Sequence, residues 1–465
     1  FFLQTKGSAL TGTNYVVGYV AALKSQADFE SFLKKKSLDI QKGNEFSSAK
    51  LKDDFMVGWN SDVVIMVVNT MNYNRWNDNA AADTVNASLK ELDELFSLKK
   101  ENSIASIDKF NKLSAENTDA FFWLNAGSAV AAYPFVGMTK ASDLIKDSYT
   151  AGTINFEKGA VTTNVEAYYN KDFINLIKKN SSSGLNLSLI ENYPGNVNGF
   201  AAVSFNPKLF ADVIRYIGMD GTANQFLQSQ QFNLNIDEIA GAFKGDIAVV
   251  FSNLRKEEKT STYYSGTYQT TVFNYLVTLP VGDKKMYDKL LTELVAKDLL
   301  EKQGDEYIPK SPGAMDTSVA FSIDNKGVIM ASSKSLIQQY KSGSEKINLP
   351  DDVKKNFNGK VVSVYADIQS ILSAQTITGS DSFYLTRAKQ TFKDFSGFHD
   401  KLKDNFLSAT YRLRTMNDQE NSLVTILKFI SDMNAHEKRE NVMLDEVSPA
   451  DTATKFTPPT IKKDN

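Results

Sequence analysis

Two halves of this sequence pass through the same order of short motifs, and such a repeat predicts two related structural units. Asn14-Tyr15-Val16-Val17 returns as Asn274-Tyr275-Leu276-Val277. In each copy a β-branched and aromatic run leads through a polar turn into an amphipathic stretch, Asp28 to Lys35 and then Lys284 to Ala296. This pattern predicts strand, turn and helix. Farther along, Trp59-Asn60-Ser61-Asp62-Val63-Val64-Ile65-Met66 parallels Ile323-Asp324-Asn325-Lys326-Gly327-Val328-Ile329-Met330, and both read as strand, tight polar turn, strand. Phe1-Phe2-Leu3-Gln4 takes the part of Val249-Val250-Phe251-Ser252, with a longer hairpin following in the second copy.

A second set of matches lies between these. Phe121-Phe122-Trp123-Leu124-Asn125, Phe200-Ala201-Ala202-Val203-Ser204-Phe205 and Val361-Val362-Ser363-Val364-Tyr365 are short strands. They lead to apolar helices at Ser128 to Val136, Pro207 to Ile217 and Ile368 to Ala374. Paired strands are expected after the first and third, at Thr153 to Tyr169 and Phe406 to Phe429, where Val161, Thr163, Val165 and Ala167 mark the period of two of a sheet with one wet face. The expected class is α+β: tandem duplicated units of antiparallel or mixed β-sheet with helices packed on one face. The hairpin-like pairs argue against a parallel sheet.

The order of motifs divides the chain. Residues 1–116 read as the C-terminal part of a first α+β unit plus a helical linker, and 117–195 as a second unit. Residues 196–350 read as a complete copy of the first, 351–445 as a copy of 117–195, and 446–465 as a flexible tail. The stretch Asn196 to Asp246 has no partner ahead of Phe1, so roughly 50 further residues of a whole first unit are expected upstream.

Length and composition narrow the function. At 465 residues, 42% apolar and 23% charged, the chain is globular in composition and too long for one core. Lys+Arg 52 against Asp+Glu 55 leaves a net charge of -3, with no basic excess to neutralise phosphates, so nucleic acid is not an expected partner. Cys is absent and His399 and His436 are the only histidines, which excludes disulfides, thiolate nucleophiles, Cys-ligated metals and most His-dependent chemistry. No cofactor is expected. A Cys-free chain of this size fits an exported protein that avoids stray thiols. Phe1-Phe2-Leu3-Gln4-Thr5 reads as the interior of a strand, as in a trimmed or mature chain. Apolar runs such as Val63 to Val68 are far shorter than the roughly 20 residues needed to cross a bilayer, so no transmembrane helix is expected. Asn72 to Asp83 reads as a polar loop and the segment from Glu446 onward as a loose tail.

Catalytic motifs are scarce. There is no His-Glu-x-x-His, no Gly-x-Ser-x-Gly and no phosphate loop of either Gly-rich type. Ser31-Phe32-Leu33-Lys34 matches Ser-x-x-Lys inside an amphipathic helix, as chance allows in a Lys- and Ser-rich chain. His436-Glu437-Lys438-Arg439-Glu440 reads as a solvated helix end. His399 beside Asp400 reads as a surface or capping His rather than a general base. Asn74 to Asn79 has oxygen donors but lacks the Gly and distal Glu of a calcium loop. A pair of carboxylates would suffice for a glycosidase, though spacing alone locates none. The aromatic segment Thr262-Tyr263-Tyr264-Ser265-Gly266-Thr267-Tyr268 suits contact with a protein or glycan partner. Tyr263, Tyr264 and Tyr268 are therefore the candidate binding residues, together with Trp76 in its polar loop, while Trp59 and Trp123 are expected in cores.

The repeated Asn-Tyr-Val-Val and Val-Ile-Met signatures, with Asp119-Ala120-Phe121-Phe122-Trp123 after Asn102-Ser103-Ile104, give the whole chain a family likeness. It resembles the Bacteroidetes lipoproteins of domain of unknown function family 4836. The resemblance implies export behind a signal peptide and lipid attachment through a Cys upstream of Phe1, hence the periplasm or outer-membrane surface of a Gram-negative cell. It carries no established activity and no functional residues. Asp83-Thr84-Val85 and Asp451-Thr452-Ala453 are similar to the O-glycosylation acceptor pattern of that phylum. The expected function is a non-enzymatic envelope binding or scaffold protein, touching the membrane only through such an anchor. A carboxylate-dependent hydrolase acting on glycans is the alternative.

Overall fold

Alternating apolar residues place much of this chain in antiparallel strands, and the stretches of helical periodicity between them cover the apolar strand faces. The computed structural model describes residues 1–8, 12–51, 55–70, 80–125, 140–260, 266–310, 319–374 and 381–447. The first elements are β1 (Phe2–Ser8), β2 (Gly12–Ala22), α1 (Gln26–Lys35), β3 (Ile40–Lys42), β4 (Ser47–Lys50), β5 (Met56–Trp59), β6 (Val63–Thr70) and α2 (Ala80–Phe96). Next come α3 (Asp108–Ser114), β7 (Ala120–Asn125), α4 (Ala141–Ile145), β8 (Tyr149–Glu157), β9 (Ala160–Tyr168) and α5 (Lys171–Lys179). β10 (Gly195–Asn196), β11 (Gly199–Ser204), α6 (Lys208–Tyr216), α7 (Asp220–Ser229) and α8 (Ile236–Ala242) precede two long strands, β12 (Asp246–Thr260) and β13 (Thr267–Pro280). After them run α9 (Lys284–Ala296), β14 (Leu300–Gln303), β15 (Glu306–Pro309), β16 (Ala320–Asp324), β17 (Gly327–Ala331), α10 (Lys334–Ser342) and β18 (Ile347–Asn348). The last are α11 (Asp351–Phe357), β19 (Val362–Ala366), α12 (Ile368–Ser373), α13 (Asp381–Thr391), β20 (Phe392–His399), β21 (Phe406–Thr415) and α14 (Ser422–Val447).

Two main sheets carry this α+β architecture, beside a short parallel pair of β10 and β18. A six-stranded sheet has the order β1-β2-β6-β5-β4-β3, and a thirteen-stranded sheet has the order β14-β15-β16-β17-β13-β12-β11-β19-β20-β21-β9-β8-β7. Read from β12 outward, the large sheet continues through β13, β17, β16, β15 and β14, which is the order of the small sheet. Local chemistry follows the same correspondence. Ser25 caps α1 through the Asp28 N–H, and Asp283 caps α9 through the Met286 N–H. Ser37 and Asp298, just beyond those helices, both take left-handed backbone at φ 57° and 58°. Asn60 and Asp324 each accept an N–H two residues ahead in their tight turns, at 2.9 and 2.8 Å. Leu23 N–H donates to the Asp62 carbonyl as Val281 N–H does to that of Lys326.

These bonds align the two segments with one another. Tyr19 opposite Met66 corresponds to Val277 opposite Met330, so the Asn-Tyr-Val-Val match is displaced by two residues along the strand. A shift of two preserves the face of every side chain, which is why the sequence match survives it.

Helices lie on both faces of each sheet rather than on one. In β5, Met56 packs with Leu92 of α2 while its neighbour Val57 and Trp59 pack with Leu33 of α1. In the large sheet, Val250, Leu276 and Ala331 pack with Leu336 and Ile337 of α10, whereas Ile323 and Val328 pack with Tyr287 and Leu291 of α9. Apolar runs such as Val63 to Val68 are apolar on both sides of the strand and need cover on both.

The expected paired strands at Phe406 to Phe429 are corrected. β21 pairs with the preceding β20, and the residues from Ser422 onward are helical. Leu423, Val424, Leu427 and Ile430 recur at helical spacing, and the Ser422 hydroxyl donates to the Ala160 carbonyl at 2.8 Å. Ala80 to Asp83, read as loop, opens α2, and Glu446 and Val447, read as tail, end α14. The helix expected at Ser128 to Val136 lies outside the described residues, as does 448–465. Among the described residues no helix is long and apolar enough to cross a membrane.

Candidate functional site

The segment between β11 and β12 builds the most apolar cavity of the protein's described pockets. Beyond Ser204, Pro207 has the φ of a helix start, and Asn206 Oδ1 accepts from the Lys208 N–H at 3.1 Å, which opens α6. On α6, Phe210 and Ile214 stand one turn apart, and on α8 Ile236 and Ile239 do the same. A capping box between Asn235 and Glu238 fixes the start of α8. Lys289 holds Glu238 at 2.6 Å and so ties α8 to α9. Between α6, α8 and the sheet lies a cavity of about 440 Å³ walled by Phe205, Phe210, Ala211, Ile214, Ile236, Ile239, Phe243, Ile247 and Leu279. Gly245 turns the chain from α8 into β12 at φ 84°, and a Cβ there would lie 2.0 Å from the Phe205 carbonyl oxygen. Glycine is required at this corner.

Asp246 is the polar centre of the region. It is 5% exposed, with Lys244 Nζ at 2.5 Å and the Ser204 hydroxyl donating at 2.5 Å. Ser204 in turn meets the Ser182 hydroxyl. Asp246 borders the apolar cavity and two others, a polar one of about 250 Å³ with Ser181, Ser182, Asn206 and Lys208 and a mixed one of about 470 Å³ with Asn192, Asp324, Tyr340 and Lys341. In the largest, burial works to raise the Asp324 pKa, but Lys341 at 2.9 Å and Lys326 outweigh it and hold the group below its ordinary 3.8. Burial pushes the Tyr340 hydroxyl up to about 12, and it donates to the Leu189 carbonyl at 2.8 Å. Asp246 is paired with Lys244 and Asp324 with Lys341, so these two carboxylates can orient a ligand while each holds a cation.

The lowered Asp324 pKa has a definite sign. The unfolded state takes up the proton first as pH falls, so the Asp324–Lys341 contribution is present above pH 3.8 and is lost as pH drops through the lower folded-state value. We expect the melting temperature to fall more steeply between pH 5 and pH 3 in the parent chain than in Asp324→Asn, measured by circular dichroism (pH values are roughly one unit either side of the ordinary carboxylate range).

Of the aromatic residues singled out in the sequence, Tyr268 is placed, while Tyr263, Tyr264 and Trp76 lie outside the described residues, as does the Asn74 to Asn79 loop. β12 and β13 outrun their neighbours. β11 pairs with β12 from Asp246 to Phe251, and β17 with β13 from Leu276 to Pro280. Past a bulge between Ser252 and Arg255, with Asn253 at φ 52°, the two strands pair only with each other and form a projecting arm. Tyr268 is 53% exposed on this arm opposite Lys259, and it lines none of the three cavities.

The other candidates are structural. Trp59 is fully buried, as expected, with its indole N–H on Glu30 Oε1 at 3.4 Å. Trp123 is only half-buried and starts a ladder across four strands, its ring 4.1 Å from Tyr149, which is 4.7 Å from Tyr168, itself 5.1 Å from Phe406. The stacked rings cover one another's faces, with Lys109 on Tyr168, so no open platform for a sugar results. His399 Nε2 meets the Tyr411 hydroxyl at 2.6 Å, and burial lowers its pKa. Asp400 turns instead to Lys360 and Ser408, so neither a surface His nor an Asp-oriented base describes it. His436 is not a solvated helix residue: its ring stacks 4.1 Å from Phe383 of α13. Ser31 is exposed on α1.

Among the described residues no three His, Asp or Glu side chains gather as a metal-ligand set. Three of the buried carboxylates face cations: Asp212 sits against Lys179 and Arg215, Asp246 against Lys244, and Asp394 against Arg414. Hydrogen bonding from Asn180 and then Lys179 holds the Asp212 pKa below the usual carboxylate range. The sequence reading missed the cavity because its walls come from short helices whose apolar spacing looks like ordinary core, and α8 was not anticipated at all. No family model, curated protein or solved structure matches the chain.

Proposed function

We propose that this chain is a non-enzymatic binding protein of the bacterial cell envelope, and that the cavity between α6 and α8 receives the apolar part of its ligand. The observation that carries this reading is the cavity itself, about 440 Å³ of apolar wall with a buried carboxylate and its lysine at one side. Sites for small organic ligands have this size and this sparse, convergent polarity. The arm that bears Tyr268 offers a second surface suited to a protein or glycan partner. The rival hydrolase needs one carboxyl group kept protonated and another left ionised. Asp212, Asp246 and Asp394 are each engaged by a lysine or arginine in an ion pair, which supports binding over hydrolysis. The Cys-free composition and the resemblance to exported lipoproteins support the envelope.

The cavity is tested with the fluorescent probe 1-anilinonaphthalene-8-sulfonate. Ile239→Trp fills the space between α6 and α8, and we expect affinity for the probe to fall at least about tenfold, which is about 1.4 kcal/mol of lost burial. Equal affinity in a variant with an unchanged circular dichroism spectrum rejects the cavity as the site. Protease shaving of intact cells locates the protein. Rapid loss places it on the outer face, and protection until the outer membrane is broken places it in the periplasm.

A further inference from the structure

The thirteen-stranded sheet has a centre of local symmetry. β21 and β9 pair antiparallel, Phe406 with Tyr168 at one end and Arg414 with Ala160 at the other. Near the middle the Thr410 hydroxyl meets Asn164 Oδ1 at 3.0 Å. From this pair β20 and β19 follow on one side, β8 and β7 on the other, each joined antiparallel to the next. Beyond β19 the sheet continues through β11 to β12, β13, β17, β16, β15 and β14. Beyond β7 it stops. The strands that would continue it, β1-β2-β6-β5-β4-β3, form the separate sheet in the matching order. The two sides differ by one strand, the counterpart of β11, which pairs with β12 on one edge and β19 on the other.

The free edges point the same way. β3 and β14, the outermost strands of the two sheets, are short and carry Lys42 and Glu301 with Lys302, the usual protection of an edge that must stay unpaired. β7 is longer and has no charged residue, with Phe121 41% and Leu124 59% exposed. Ahead of and within β1, Phe1 is 76% and Leu3 60% exposed. Long apolar edges with exposed aromatics are built to be covered.

We infer that β1 and β7 both pair with one further strand, equivalent to β11 and carried by the same polypeptide ahead of β1, as β11 is carried ahead of β12. The two sheets then become one continuous sheet of two like halves, and the helices that follow β11 gain counterparts beside β1.

The inference is tested by fusing a copy of residues 196–248 ahead of Phe1, so that Phe1 follows in the place of Val249, and following backbone hydrogen exchange by mass spectrometry. Peptides covering β1 and β7 slow together by at least about tenfold, whereas those covering β3 and β14 do not change. A synthetic peptide of residues 198–206 at saturating concentration, which needs no fold of its own, gives the same paired protection. The absence of native cysteine allows a second readout. Ala201 pairs with Val249, the counterpart of Phe1, so Phe1→Cys and the equivalent of Ala201→Cys in the fused segment form a disulfide on mild oxidation. Protection of one edge alone, of neither edge with both the fused segment and the peptide, or a doubled mass in light scattering with both edges already protected in the parent chain overturns the inference.

Discussion

Arg414→Ala destabilises the large sheet by about 3–5 kcal/mol, the cost of leaving a buried charge without its partner. Arg414 of β21 grips Asp394 of β20 with two parallel bonds, Nε to Oδ1 at 2.6 Å and Nη2 to Oδ2 at 2.7 Å. The Asp394 side chain is only 5% exposed, so water cannot replace the guanidinium. Hydrogen bonding to Asp394 raises the Arg414 pKa further, and Asp352 of α11 adds a weaker contact at 3.4 Å. The pair is a matter of matching rather than of surplus stability, because removing both charges avoids the orphan. Asp394→Leu with Arg414→Leu is therefore expected to lose less than Arg414→Ala alone. Urea denaturation followed by circular dichroism measures both, and an Arg414→Ala protein within about 1 kcal/mol of the parent, as for an exposed pair, rejects this account.

The fold was legible wherever a pattern is local. Period-two alternation at Val161 to Ala167 and the capped helix from Lys284 announce their own structure. The order of motifs pointed to related stretches of chain, and the strands of the small sheet and those from β12 to β14 do follow one order, with like turn bonds at Asn60 and Asp324. What a single sequence does not encode locally is which strands meet across the chain. The β21–β9 pairing joins residues about 250 apart, as Thr410 and Asn164 do with a separation of 246, and no spacing rule anticipates it. The cavity was hidden for the same reason: Phe210 and Ile239 acquire their role only when α6 and α8 face each other. Phe406 to Phe429 misled because its first half is a true strand and the turn at Asn417 to Asn421 contains no Gly or Pro to mark the change.

The remaining large effect separates the two sheets. Trp59 is fully buried against Phe29 at 5.3 Å in the small sheet, and Phe200 is 2% exposed against Phe357 at 5.6 Å in the large one. Replacing either by Ala costs about 3–5 kcal/mol. Among the described strands no ladder joins the sheets, and their apolar clusters share no residue. Scanning calorimetry of this chain should therefore resolve two transitions. Trp59→Ala lowers one by about 10 °C and leaves the other, and Phe200→Ala does the reverse. When a strand equivalent to β11 bridges β1 and β7, the sheets share a continuous ladder, and destabilising either core lowers a common transition. A single transition in the chain without the added strand, moved equally by both substitutions, means that the sheets are already coupled by packing and that the bridging strand is not what unites them.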